Sequence, residues 1–201
     1  MRKGFIAVVF ALLVALTACT SRDFLTRHLA SDLITNSDTF KAVEKFWLRT
    51  GSTSNEDYAS PEYMVLQRRG WITAASVPCA PDAKVSACWD VALTPLGVGV
   101  FRDLIPAGAE QSQYFSVPVA HRELVRVTGI AKNAGSAEVE FFWKWVPLNE
   151  VGQALYAEGL QYKSIVTFRL YDDGWRVIEG DLPVSQGMDE ALKNSKPIAK
   201  D

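Results

Sequence analysis

An apolar run from Phe5 to Leu16 follows Arg2 and Lys3 at the start of the chain. The run is too short to serve as a permanent membrane span, since a spanning helix needs roughly 20 apolar residues. Over residues 21 to 34, Leu25, Leu29 and Leu33 recur at helical spacing behind Ser21 as N-cap and Asp23 in the first turn. That pattern predicts an amphipathic helix. Arg22 and Arg27 also fit a membrane-surface helix, but Asp23 and Asp32 on the polar face favour packing on a core. Residues 40 to 49 suit either a helix or a strand, and the alternation of Phe46 and Leu48 with Trp47 and Arg49 points to a strand. The polar residues 50 to 59 read as a loop. Ser60-Pro61-Glu62 is a helix start, with a cap, a proline at the first helical position and an acid in the first turn, and Gly70 ends that helix. A strand over 71 to 75, a second over 89 to 93 and a helix capped by Thr94-Pro95 and running to about Leu104 complete the first half.

From Tyr114 onward, alternation dominates. The runs SVPVA, RELVRVTGIAK and SAEVEFFWKWV predict three strands, the first two divided at His121 and the last two by the turn Asn133-Ala134-Gly135. In the third run Val139, Phe141, Trp143 and Trp145 share one face, and Glu138, Glu140, Phe142 and Lys144 the other, as in a half-buried antiparallel strand. Pro147 stops it, and LNEVGQALYAEG predicts a short helix. SIVTFRLY and GWRVIE then form a hairpin at Asp172-Asp173-Gly174, where the Asp-Gly pair is expected to supply positive φ angles. The tail from Leu182, with Pro183, Pro197 and several lysines, is expected to be frayed. The fold class is thus α+β: N-terminal helices with a β-hairpin, then an antiparallel sheet packed on a short helix. The expected divisions are 1–18, 19–106, 107–181 and a flexible 182–201.

The charged start, the apolar run and the ending Leu16-Thr17-Ala18-Cys19 form a signal peptide. A cysteine directly after small residues resembles the lipobox of bacterial lipoproteins. The resemblance implies cleavage before Cys19, diacylglycerol on its sulfur and acylation of the freed amine. Several acyl chains, at roughly 0.8 kcal/mol per buried methylene, make such attachment effectively permanent. The expected location is therefore lipid-anchored in the cell membrane and facing the periplasm. In the sorting rule of such lipoproteins Asp after the lipidated cysteine retains the protein in the inner membrane. Thr20 occupies that position and favours the outer membrane.

Composition changes this picture only by exclusion. Taking Arg2 and Lys3 from the 21 basic residues leaves 19 against 23 acidic ones, so no basic excess calls for nucleic acid. Six Trp and ten Phe are ample for a packed core. With Cys19 lipidated, Cys79 and Cys88 remain, and in an oxidising compartment they read as a disulfide stapling the hairpin. A loop near ten residues is then worth roughly 2.5 kcal/mol. A metal site would need further ligands, and the histidines, His28 and His121, are distant in sequence.

A helix, a hairpin and a following LTPLG step over residues 60 to 104 resemble the winged-helix pattern, which in a cytosolic protein would place Arg68 and Arg69 on DNA. Export turns that arrangement into a scaffold for packing or protein contact. The Asp-Gly-Trp-Arg-Val ending resembles the last hairpin of nuclear-transport-factor-like and cystatin-like periplasmic domains, although here a helix falls between strands.

No Gly-x-Ser-x-Gly, no His-Glu-x-x-His, no phosphate-binding loop and no dinucleotide fingerprint occurs. His28 lies beside the leucine stripe and His121 beside Arg122 and Glu123, positions suited to surface roles. Glu138 with Glu140, and Asp172 with Asp173, are the carboxylate pairs available for glycosidase chemistry, but a strand's exposed face and a hairpin turn are ordinary places for acids. Trp47 and Phe142 project from polar faces and are the candidate binding aromatics. The expectation is a non-enzymatic, membrane-tethered envelope lipoprotein, without cofactor or metal, whose partner is an envelope protein and not nucleic acid. Two alternatives stand beside it. One is a periplasmic carrier of a small apolar ligand in a cup lined by Phe141, Trp143, Trp145 and Phe168. The other is a phage-type or secretion-associated lipoprotein that blocks or docks a partner.

Overall fold

A computed structural model describes residues 24–79, 87–105, 113–180 and 186–198. Cys19 and the proposed cap Ser21 lie outside them. The chain is α+β and contains a six-stranded antiparallel sheet and a three-stranded one. The described residues divide into two compact units built from interleaved segments: those within 42–123 with 144–161, and those within 24–41 with 124–143 and 162–198.

In the first of these, β1 (Glu44–Arg49) alternates as its residues dictate, Phe46 and Leu48 buried and Trp47 exposed. The segment expected to be a loop instead forms β2 (Gly51–Ser54) and the short helix α3 (Asn55–Tyr58). Its residues carry almost no apolar signal, and only Thr53 of β2 is buried. What orders it is pairing with β4 (Cys88–Leu93), from Gly51 opposite Val91 to Ser54 opposite Cys88. Helix α4 (Pro61–Arg68) starts on Ser60, whose hydroxyl accepts from the Tyr63 amide, and Gly70 follows it with φ 70°. The hairpin of β3 (Ile72–Val77) and β4 gives the small sheet the order β2-β4-β3. Cys79 and Cys88 are bonded across nine residues, with 5.1 Å between their Cα atoms. Thr94 caps α5 (Pro95–Phe101), and a core of Leu48, Leu66, Trp71, Val91, Phe101 and Val117 closes the unit.

The two strands expected on either side of His121 are one, β5 (Tyr114–Asn133). Half-buried His121 and its neighbours keep extended backbone, and β1 pairs antiparallel along Tyr114–Ala120. Next to β5 lies β6 (Ser136–Pro147), followed by α6 (Glu150–Leu155), which is capped by Asn149. Asn149 also donates from Nδ2 to the Pro118 carbonyl, and the Leu148 amide donates to Val119, which ties the start of α6 to β5.

The second unit contains α1 (Arg27–Asn36) and α2 (Asp38–Lys41). Helix α1 starts later than the sequence suggests, because Thr26 supplies the cap that Ser21 was expected to give. Its fully buried positions are Ala30 and Ile34, with Leu29 and Leu33 only partly covered. Strand β7 (Gln161–Tyr171) and β8 (Gly174–Val177) form the expected hairpin, with Tyr171 opposite Gly174. Only Gly174 has a positive φ there, 127°, and no aspartate shares it, so the Asp-Gly turn differs from the one the sequence suggests. In place of a frayed tail, α7 (Met188–Lys193) buries Met188, Ala191 and Leu192, and β9 (Lys196–Ile198) pairs with β7. Three apolar residues at helical spacing outweigh the polar composition around them.

Candidate functional site

Strand β1 is an edge of the six-stranded sheet. Beside it opens a cleft of about 560 Å³, lined from β1 by Glu44, Lys45, Phe46, Trp47 and Arg49, from the segment of α3 and α4 by Glu56, Asp57, Ser60, Glu62 and Tyr63, and also by Tyr114, Leu155 and Tyr156. Its size falls within the range of small-molecule and cofactor sites, roughly 300–1,000 Å³.

Aromatic rings form much of its wall. Trp47 and Tyr114 stack with centroids 5.3 Å apart, at 51% and 56% exposure. Phe46 and Tyr63 sit deeper, 5.9 Å apart. The buried hydroxyl of Tyr63 accepts from the Arg49 amide at 2.6 Å and donates to the Arg49 carbonyl at 3.0 Å, which ties α4 to the end of β1. Burial pushes the phenol above its ordinary pKa near 10, and the Arg49 amide, which favours the ionised form, only partly offsets it.

Charge in the cleft is unevenly distributed. Four carboxylates (Glu44, Glu56, Asp57, Glu62) face two cations (Lys45, Arg49). Asp57 lies 3.7 Å from Arg49, and Glu44 lies 3.5 Å from the Arg122 guanidinium, which also covers the Trp145 ring at 4.6 Å. Glu56 and Glu62 have no ion pair among the described residues. A second cleft of about 430 Å³ is lined by Arg69, Pro147, Gln153, Tyr156 and Glu158.

Of the binding aromatics read from the sequence, Trp47 lines the first cleft. Phe142 lies elsewhere, half-buried under the Arg126 guanidinium at 5.0 Å. His28 is exposed, 3.6 Å from Asp32, within helix α1. His121 sits in mid-strand. Glu138 is exposed, whereas Glu140 binds Lys163 Nζ at 2.5 Å and the Thr128 hydroxyl at 2.7 Å. Those two bonds hold the Glu140 carboxyl below its ordinary range, Lys163 contributing most. Asp173 pairs with Arg176 in the hairpin turn. Among the described residues no group of three or more His, Cys, Asp or Glu is placed to hold a metal ion, and no helix is long and apolar enough to cross a membrane. Tyr63, Tyr114, Tyr156, Glu56 and Glu62 were not legible as site residues, because segments nearly a hundred positions apart bring them together.

Comparison with protein families, curated proteins and solved structures finds no match to this chain.

Proposed function

We propose that this chain is a membrane-tethered envelope lipoprotein whose folded part is a non-catalytic protein-interaction module. The observation that carries the tether is the sequence Leu16-Thr17-Ala18-Cys19 behind a charged start and an apolar run. Thr20 favours the outer membrane. The interaction reading is supported by the aromatic and acidic cleft beside β1, where two large rings, Trp47 and Tyr114, remain about half exposed. Trp and Tyr, with Arg, are the side chains enriched among the residues that carry most of the binding energy of protein interfaces.

We also read residues 51 to 101 as winged-helix-like. The succession β2, α3, α4, β3, β4 with strand order β2-β4-β3 supports that reading, and the Cys79–Cys88 bond would brace the wing. In an exported, net acidic protein this scaffold serves protein contact instead of DNA. The cup of an apolar carrier has less support: Phe141, Trp143 and Phe168 are buried, with Trp143 bonded to Ser164 and Phe40 edge-on to Phe141, and none of them lines either cleft.

Metabolic labelling with palmitate tests the tether. Label on the wild type that vanishes in Cys19→Ala, together with release from the membrane fraction, is expected; unlabelled wild-type protein would overturn it. The non-catalytic reading fails if the purified protein hydrolyses peptidoglycan or an ester at a rate abolished by Glu140→Gln or His121→Ala.

A further inference from the structure

We infer that the open edge of β1 takes up an extended, positively charged segment of another envelope protein as an added strand. The inference rests on the interaction reading above and names its site. The Thr50 amide donates to Gln113, so Thr50 and Gln113 form a hydrogen-bonded pair. In an antiparallel ladder such pairs alternate with non-bonded ones. Counting back along the register, Leu48 opposite Phe115 and Phe46 opposite Val117 direct their peptide groups toward β5, while Arg49, Trp47 and Lys45 direct theirs away from it. Pro118, which has no amide hydrogen, stands opposite Lys45, where β1 requires none.

At Arg49 the outward groups are satisfied by the Tyr63 hydroxyl. At Lys45 and Trp47 they face the cleft, and no strand among the described residues pairs with that side of β1. An unpaired edge of this kind is a template for a further strand. Tyr63 closes one end of the template and so fixes how far along β1 an incoming strand can reach. The occupant's charge follows from the lining. Four carboxylates face two cations, and Glu56 and Glu62 in the lining have no ion pair among the described residues, so Lys or Arg side chains suit them while Glu or Asp would be repelled. The half-exposed Trp47 offers a ring face for such a cation as well.

The test uses the full lipidated protein in detergent and three synthetic nonapeptides: one alternating Val with Lys and Arg, its twin with Glu for every cation, and a twin of the first N-methylated along one edge. Binding is read by calorimetry, and amide hydrogen exchange is followed at Lys45 and Trp47 by NMR. The inference expects the cationic peptide to bind and to slow exchange at both amides at least tenfold, and both twins to bind at least tenfold more weakly. Lys45→Pro, whose lost N–H pointed outward and whose fold is checked by its thermal midpoint, should cost the same factor. Glu56→Lys with Glu62→Lys should weaken binding without touching the strand. Equal binding of the methylated twin, or protection elsewhere, would overturn the inference. So would protection of Lys45 and Trp47 without peptide in a concentration-dependent dimer, which would assign the edge to a second copy. A photo-crosslinker at Lys45, compared with one at Glu138 in the native envelope, separates the two levels: a specific protein captured from Glu138 but not from Lys45 would refute this site and leave the interaction reading standing. Capture from neither would remove both.

Discussion

Removing one oxygen atom in Tyr63→Phe tests the bond that closes the end of β1. The ring stays, so its packing against Phe46 and Tyr58 is preserved, and what is lost is a hydroxyl that serves both the amide and the carbonyl of Arg49. Tyr63 is only 4% exposed, so water reaches the two orphaned peptide groups poorly. A buried polar group left without a partner costs about 1–3 kcal/mol. Arg49 itself is near the surface, which places the sum toward the lower part of the range for two groups, about 2–3 kcal/mol. In a chain of this length that corresponds to a fall of roughly 4–12 °C in the thermal midpoint. Urea unfolding should show a lower midpoint at an unchanged slope.

The same variant has a pH signature. Because the folded phenol titrates above its unfolded value near 10, the folded state holds its proton more tightly. The resulting stability is complete below pH 10 and is lost as pH rises through the folded pKa. Tyr63→Phe should therefore lose this component of alkaline destabilisation, and its deficit relative to wild type should narrow above pH 10. A deficit below about 0.5 kcal/mol at pH 7, within the range of ordinary surface changes, would refute the account of Tyr63 as the closure of the edge.

Two glycines of α5 should respond with opposite signs. A Cβ at Gly97 would collide with the Trp71 carbonyl oxygen, so Gly97→Ala should cost about 1–3 kcal/mol. Nothing lies within 4 Å of one at Gly99, so Gly99→Ala should gain about 0.5–1 kcal/mol; equal effects in calorimetric melts would refute the close approach. Replacing Cys79 and Cys88 together by serine should lower stability by about 2.5 kcal/mol, the loop-closure value for a separation of nine residues, and adding reductant to the wild type should reproduce it. Glu140 titrates below its unfolded value, so its contribution is present above about pH 4.5 and is lost as pH falls through the folded pKa. Lys163→Met should flatten that acid limb in denaturant titrations between pH 5 and about pH 2; an unchanged limb would show that the pair is screened by solvent.

Elements with local signals were legible in the sequence. Ser60-Pro61 and Thr94-Pro95 carry their own caps, and the alternation of β6 predicts its buried Val139, Phe141 and Trp143. Elements ordered by distant partners were not legible. Gly51–Ser54 has Thr53 alone as a strand-favouring residue and becomes β2 only against β4, and α7 is held by burial that its polar flanks conceal. The candidate site falls between these cases. The alternation of Phe46 and Leu48 with Lys45 and Trp47 was readable as a pattern, and it fixes two things at once in an antiparallel strand: which side chains enter the core and which peptide groups face which neighbour. A one-residue slip would expose Phe46 and Leu48 and would turn the peptide groups of Lys45 and Trp47 toward β5. Burial of those two apolar side chains therefore also holds the Lys45 and Trp47 groups outward. What the pattern could not reveal is that no strand among the described residues lies beside the outward side. That depends on β5 taking one flank and on Tyr63, fourteen residues on from Arg49, closing only the far end of the other.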